Sequence, residues 1–433
     1  MDKKLTKLSL KILVIALCLQ VSNVFSKIVE EGALVGIENK NIISLLRQHP
    51  DLTLDHPTNN SIEVYGPRGT VNFLKTLTNE VQLIEHNNKN SDDYPTSQQI
   101  EDKLKELTKK HSEILTMFSL GKTHQGKDIW AIKISDNPGI DELEPETKYI
   151  ANMHGDEIVG RELMVLLIEE IANGYKNQDE QIVNLVNSLE IFIVPSMNPD
   201  GADKVRRGNH DWVDLNRDFP DFTTRDNQND LEGREPETKA IMKFQRERNF
   251  SLSANFHGGA EVVNYPWDTT GDEHPLHEHV LQLSLDYAKL VPGMRDNFRF
   301  PNGVVNGYDW YEVNGGMQDW SYHWHEDLQI TIELSNKKYP NYSAIEKYWK
   351  DNRDSLLNFL ESAITGIGFE NPKGGSLFIK IYQNDELIFS TTSIKKQFFK
   401  ALPKGEYTVE FSGDNLNLKK QTITIGHKPI YLN

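Results

Sequence analysis

From Tyr94 onward the chain alternates short apolar runs with amphipathic helical stretches, and this alternation narrows the possible folds more than any other feature. Thr96 is placed to cap a helix over residues 97–111. Residues 128–135 and 147–153 alternate as strands do, and the second run ends at His154. Residues 157–174 then carry Leu163, Leu166, Leu167 and Ile171 on one helical side. Apolar runs at 190–195 and 250–256 add further strands. Strands that take turns with helices predict an α/β domain, a β-sheet covered by helices on both faces. Ligands of such sheets gather beyond the strand ends. His154, Ser196, His257 and Glu333 all stand at or just after apolar runs, so a shared crevice is expected.

Four short segments carry the chemistry: His154-Gly-Asp-Glu157, Asp214-Leu-Asn216-Arg217, Asn255-Phe-His257-Gly-Gly259 and Thr331-Ile-Glu333-Leu-Ser335. Two imidazoles and one carboxylate can fill three corners of a zinc tetrahedron and leave the fourth open for water, the pattern of a catalytic site. Glu333 is an isolated acid in an apolar run, where a general base is useful. Each residue alone has an ordinary reading. Most of the 14 histidines are expected at the surface or in structural roles. Glu157 could simply favour a helix N-terminus, and Glu333 could face outward from its strand. The case for one site is their joint occurrence.

Further segments strengthen it: Ser135-Asp-Asn-Pro-Gly139, Pro195-Ser-Met-Asn-Pro-Asp-Gly201, Asn264-Tyr-Pro-Trp-Asp268 and Tyr311-Glu-Val-Asn-Gly-Gly-Met-Gln-Asp319. With them the chain resembles the zinc metallocarboxypeptidases of the funnelin type, and within these the carboxypeptidase N/E/D/M subfamily, over residues 94–360. The resemblance implies one Zn2+ held by His154, Glu157 and His257, with Asp214 accepting a hydrogen bond from a ligating imidazole. It implies Glu333 as the general base that takes a proton from zinc-activated water and returns one to the leaving amine. Arg207, nine positions before Asn216, fits the arginine that stabilises the oxyanion, with adjacent Arg206 the competing choice. Asn216 and Arg217 fit the clamp for a free C-terminal carboxylate, and Tyr311 fits the tyrosine that closes over it. Asp268 and Gln318 fit the pocket for a basic side chain. From pattern alone, Asp214 could be a loop carboxylate, Tyr311 a core aromatic and Asp268 a turn residue.

The expected activity is removal of C-terminal Lys or Arg from peptides and proteins. A peptidoglycan stem-peptide amidase of the same superfamily and a non-catalytic peptide-binding protein are the alternatives. Asp268 and Gln318 argue against the first, and intact Glu333 argues against the second.

Four units are expected along the 433 residues. Residues 1–26 read as a cleavable export signal: four lysines, the apolar run 12–19, then Val24-Phe-Ser26. That run is too short to span a membrane, and Leu17 before Cys18, the sole cysteine, disfavours lipidation. Residues 27–92 read as a small prosegment-like α/β extension ending in a polar linker, 86–93, which departs from the subfamily's usual organisation. The catalytic domain is expected over 93–366. Residues 371–433, with short period-two runs between turns, read as a β-sandwich, and the resemblance implies one of transthyretin-like form. The formal charge of −17 argues against nucleic acid as a partner. A secreted or periplasmic monomer without stable membrane insertion is the expectation.

Overall fold

The computed structural model describes residues 28–37, 41–84, 94–371, 374–393 and 397–432. The expected export signal and the polar linker at 86–93 lie outside them. The largest body is built on an eight-stranded sheet. Its strands are β5 (Leu115–Lys122), β6 (Asp128–Ile134), β7 (Glu146–Ala151), β8 (Glu190–Val194), β9 (Phe250–His257), β10 (Glu261–Tyr265), β11 (Val304–Asn306) and β12 (Leu328–Leu334). Their spatial order is β11-β10-β12-β9-β7-β8-β6-β5. The central four, β12, β9, β7 and β8, run parallel, while β6, β5 and β10 join antiparallel, so the sheet is mixed. Every residue of β7, β8, β9 and β12 is buried, as strands covered on both faces require. In the β9–β12 register Glu333 lies opposite His257 at the carboxyl ends.

The covering helices follow the sequence pattern closely. The helix Ser97–Lys110 starts at Thr96, whose side chain accepts from the Gln99 amide while Gln99 reciprocates, a capping box. Helix Val159–Lys176 buries Leu163, Leu167 and Ile171 against the sheet. It begins two residues later than the hydrophobic period suggested, so Glu157 stands in the loop before it. The reason is local. Asn152 Nδ2 donates to the carbonyls of His154 (2.9 Å) and Glu157 (3.3 Å), and Ile158 N–H donates to the Lys338 carbonyl. Gly155 lets this loop lie on Gly201, where a Cβ would come within 2.1 Å of backbone carbon. Helices Pro236–Glu247, His277–Ala288, Met317–His325 and Ile345–Glu361 complete the layers.

Two smaller bodies flank this domain. The N-terminal one is the sheet β2 (Thr53–Asp55), β3 (Ser61–Gly66), β1 (Glu31–Gly36), β4 (Val81–Leu83), packed on helices Asn41–Leu46 and Thr70–Leu77. It has a core of its own, including Ala33, Val35, Leu46, Ile62, Val64 and Leu74. The C-terminal body sets a four-stranded sheet, β15 (Glu386–Ser393), β14 (Leu377–Gln383), β17 (Gly405–Gly413), β18 (Leu416–Ile425), over a three-stranded one, β16 (Gln397–Ala401), β13 (Gly366–Glu370), β19 (Ile430–Leu432). Ile367, Phe369, Ile379, Phe389, Tyr407 and Phe411 fill the space between, as in a β-sandwich. Lys400 of β16 pins it to the eight-stranded body by donating to the Glu326 carbonyl at 2.7 Å and lying over the Tyr322 ring. Among the described residues no helix is long and apolar enough to cross a membrane.

Candidate active site

Three parallel strand ends assemble the site. The loop after β7 carries His154 and Glu157, β9 ends in His257, and β12 carries Glu333 as its penultimate residue. All four side chains are buried. His154 Nδ1, His257 Nδ1 and Glu157 Oε2 form a triangle with sides of 3.1, 2.8 and 3.0 Å. Zinc bonds of about 2.0–2.1 Å space tetrahedral donors by roughly 3.3 Å, so a small widening seats the ion. On the far side of its ring, His154 Nε2 lies 3.0 Å from Asp214 Oδ1. The carboxylate therefore holds the Nε2 proton and turns the Nδ1 lone pair toward the triangle. The donor set fits zinc.

Asp214 also caps a short turn by accepting from Asn216 N–H, and its other oxygen takes the Arg207 Nε donor at 3.0 Å. Arg207 is buried, and its Nη1 reaches Glu157 Oε1 at 3.4 Å. Arg206 is not part of this network; its guanidinium stacks over Trp212. Asn216 accepts from Met317 N–H, and Arg217 Nη1 donates to the Asn216 carbonyl. Arg217 Nη2 is buried and has no hydrogen-bond partner among the described residues. Gly315, at φ +78°, lets the following loop lie against the Arg217 carbonyl, where a side chain would collide.

Asp268 sits 3 % exposed, deeper in the cleft. Its Oδ1 accepts from Asn264 (3.1 Å) and from Gln318 Nε2 (3.0 Å), both neutral amides. Thr331 fixes the Gln318 amide by donating to Oε1 at 2.8 Å. The loop bearing Asp268 is held from below by Asp319, whose carboxylate accepts the Asp268 and Thr269 backbone N–H groups. Burial pushes the Asp268 carboxyl up to about 7, against the pull of Asn264 and Arg217. Burial, with Asp268 beside it, likewise pushes the Asp319 carboxyl well above the usual range.

The cleft thus brings together His154, Glu157, His257, Asp214, Arg207, Asn216, Arg217, Tyr311, Asp268, Gln318 and Glu333. It also holds residues that sequence reasoning missed: Asn264, Asp319, Lys338, and from the N-terminal body Asp55 and His56. Tyr311 OH donates to Asp55 Oδ1 at 2.6 Å, and Arg207 Nη1 pairs with Asp55 Oδ2 at 2.6 Å. His56 Nε2 lies 3.4 Å from Glu333 Oε1. The free space left within the cleft is about 10 Å3, on the scale of one water molecule. A larger cavity of about 390 Å3, near Ser97, Trp130 and Arg161, contains none of these groups, and its Lys127 and Asp203 pair with each other at 2.7 Å. The convergent chemistry, not the larger volume, marks the functional site.

Comparison with known proteins gives the same answer. Residues 100–355 match the family model described as "Zinc carboxypeptidase". The chain is 42 % identical over 283 residues to Carboxypeptidase SOL1 of Arabidopsis thaliana, covering 63 % of this chain and 57 % of that protein. It is 35 % identical over 353 residues to Carboxypeptidase M of Mus musculus, covering 74 % of this chain and 78 % of that one. Against mouse Carboxypeptidase D it is 36 % identical but spans only 25 % of the relative's length. In fold it is similar to the carboxypeptidase A of Helicoverpa armigera, with a TM-score of 0.62 at 16 % identity, covering 79 % of this chain and 98 % of that one. Thrombin activatable fibrinolysis inhibitor gives 0.61 at 15 %, covering 78 % and 99 %. A mixed sheet carrying a two-histidine, one-glutamate triangle, matched over most of its length by such relatives, has one assignment: the chain belongs to the zinc carboxypeptidase family.

Proposed function

We propose that this protein is an exported metallocarboxypeptidase that removes Lys or Arg from the C-termini of peptides. The observation that carries the specificity is Asp268: a buried carboxylate held only by neutral amides, with no cation in salt-bridge contact among the described residues. A guanidinium or ammonium entering the pocket would satisfy it, whereas an apolar side chain would leave it unpaired.

His154, Glu157 and His257 would hold the zinc ion, which when bound supplies Lewis acidity toward water and the scissile carbonyl. The remaining roles fall to the chain's own groups. Arg217, with Nη2 free of partners among the described residues, takes the terminal carboxylate together with Asn216, and this confines cleavage to chain ends. Glu333 accepts the proton of the attacking water and passes it to the departing amine. Arg207, locked by Asp214, offers a fixed positive charge to the oxygen on which negative charge develops. Tyr311 closes over the terminus and adds a donor.

The test compares hydrolysis of blocked dipeptides ending in Arg, Lys and Phe and of a muropeptide, each with and without a chelator. Chelator-sensitive release of Arg and Lys well above Phe supports the reading. Preference for Phe or for the muropeptide sinks it.

A further inference from the structure

Outside the cleft, one cluster of ligating side chains has no place in the proposed reaction. It lies where three segments distant in sequence meet: the turn between β5 and β6, the loop from Arg207 to Asp214, and the start of helix Pro236–Glu247. His124 Nε2 stands 2.7 Å from Glu235 Oε2 and 3.5 Å from Asp211 Oδ2. All three donor atoms lie within 4.8 Å of one another. The two shorter spacings bracket the roughly 3.3 Å expected between tetrahedral donors of a zinc ion. His210 extends the cluster, with its ring 6.1 Å from that of His124.

A buried group behind the cluster separates it from an ordinary surface ion pair. Glu237, two residues after Glu235, is wholly buried, and its Oε1 has no hydrogen-bond partner among the described residues. Its other oxygen accepts from Asn209 Nδ2 at 3.1 Å, and the same amide donates to Glu235 Oε2 at 2.7 Å, so the two carboxylates are held side by side. Like charges so placed repel unless a cation joins them. The charge balance points the same way. Asp211, Glu235 and Glu237 are in salt-bridge contact with no Lys or Arg among the described residues. The adjacent cation, Arg206, lies over the Trp212 ring instead. Against the cost of burial, Glu235, Glu237 and Asp211 hold the His124 imidazole above its ordinary value. A field that favours a proton there attracts a divalent ion too, in exchange for that proton.

We infer that His124, Asp211 and Glu235 form a second metal site, for a divalent transition ion such as zinc, with Glu237 as the buried carboxylate behind it. One imidazole nitrogen with carboxylate oxygens suits such ions, whereas Mg2+ and Ca2+ take oxygen donors and gain nothing from the imidazole. Asp211 lies between Arg207 and Asp214, and its amide N–H donates to Asn209 Oδ1 at 3.0 Å. An ion here staples that loop to the β5–β6 turn and to the helix. Its role is to brace the loop, and it takes no part in bond making. The site holds its ion whatever the cleft hydrolyses.

Zinc counting on the full-length protein tests it, with hydrolysis kept out of the readout. H124A and E235Q are made in the parent chain and in H257A, which lacks one proposed ligand of the cleft. Thermal melting confirms that each is folded, and all are dialysed against buffered micromolar zinc. H124A and E235Q are each expected to lower the zinc content by one ion, equally in both backgrounds. Excess Ca2+ or Mg2+ is expected to leave that ion in place. In H257A, zinc is expected to slow amide exchange at residues 209–213 by about tenfold, and in H124A/H257A to leave it unchanged. A zinc content unaltered by folded H124A or E235Q overturns the site. A loss seen in the parent background and not in H257A assigns the ion to the cleft and overturns it as well. Displacement by Ca2+ or Mg2+ contradicts the transition ion, and unslowed exchange contradicts the brace. H257A alone reports on the cleft, so the two sites can fail independently.

Discussion

Glu333 and His257 face each other across adjacent parallel strands, one register step from the sheet's carboxyl edge. Neighbouring strands lie about 4.8 Å apart, so the pairing sets a carboxylate beside the imidazole proposed to hold zinc, without any loop having to place it. Glu333→Gln keeps the shape and removes the basicity. Turnover should fall by about 10² to 10⁴-fold with one zinc still bound, read by steady-state kinetics and metal analysis on the same sample.

Asp268→Asn should lower kcat/KM for Arg-ended peptides by about 10² or more, since truncating one partner of a buried charge pair costs roughly 2–5 kcal/mol. Phe-ended peptides should change by less than about threefold. Equal losses on both would refute the pocket.

The same carboxyl sets a pH dependence. With the Asp268 carboxyl pushed up to about 7 in the free protein, its charged form is depleted as pH falls below that value. KM for Arg-ended peptides should therefore rise on going from pH 8 to pH 6, while KM for Phe-ended ones stays flat. The sign for stability is opposite. A carboxyl whose folded value lies above its unfolded value of about 3.9 favours the protonated fold, so this group's contribution is lost as pH rises from about 4 to 7.

Asp319 is expected to matter without meeting substrate. Asp319→Asn replaces one acceptor oxygen by an NH2 group facing two backbone N–H donors. The loss should be about 1–3 kcal/mol in denaturant unfolding, with a drop in Arg-over-Phe selectivity greater than the drop in Phe turnover.

Asp214 joins the His154–Glu157–His257 triangle to Arg207. Asp214→Ala should weaken zinc binding by about 10- to 100-fold in chelator competition. An unchanged affinity would mean that the His154 ring is oriented by something else.

Much of this is legible in the sequence. The helix capped by Thr96 and the strands ending near His154, His257 and Glu333 follow from residue type and period, because local propensity and burial agree there. The start of helix Val159–Lys176 did not, since Asn152 and Lys338 capture the preceding loop, and sequence period carries no record of such long-range bonds. Strand β13 has a similar reason: residues 366–370 fall at and between the bounds expected for the two units, 93–366 and 371–433, and only pairing with β16 and β19 makes them a strand of the C-terminal body. Lys148 is wholly buried within β7 and paired with Asp327 at 2.6 Å, a partner 179 positions away. Asp55 and His56 carried no signal at all, because a short acid-imidazole pair gains meaning only from what lies opposite it.

The account is tested most directly by following one peptide ending in Phe-Arg by mass spectrometry during incubation with the zinc-loaded protein. It predicts loss of a single C-terminal Arg, a halt at the exposed Phe, and no reaction once zinc is chelated. Cleavage within the peptide, continued trimming through Phe at a similar rate, or indifference to the chelator would contradict it.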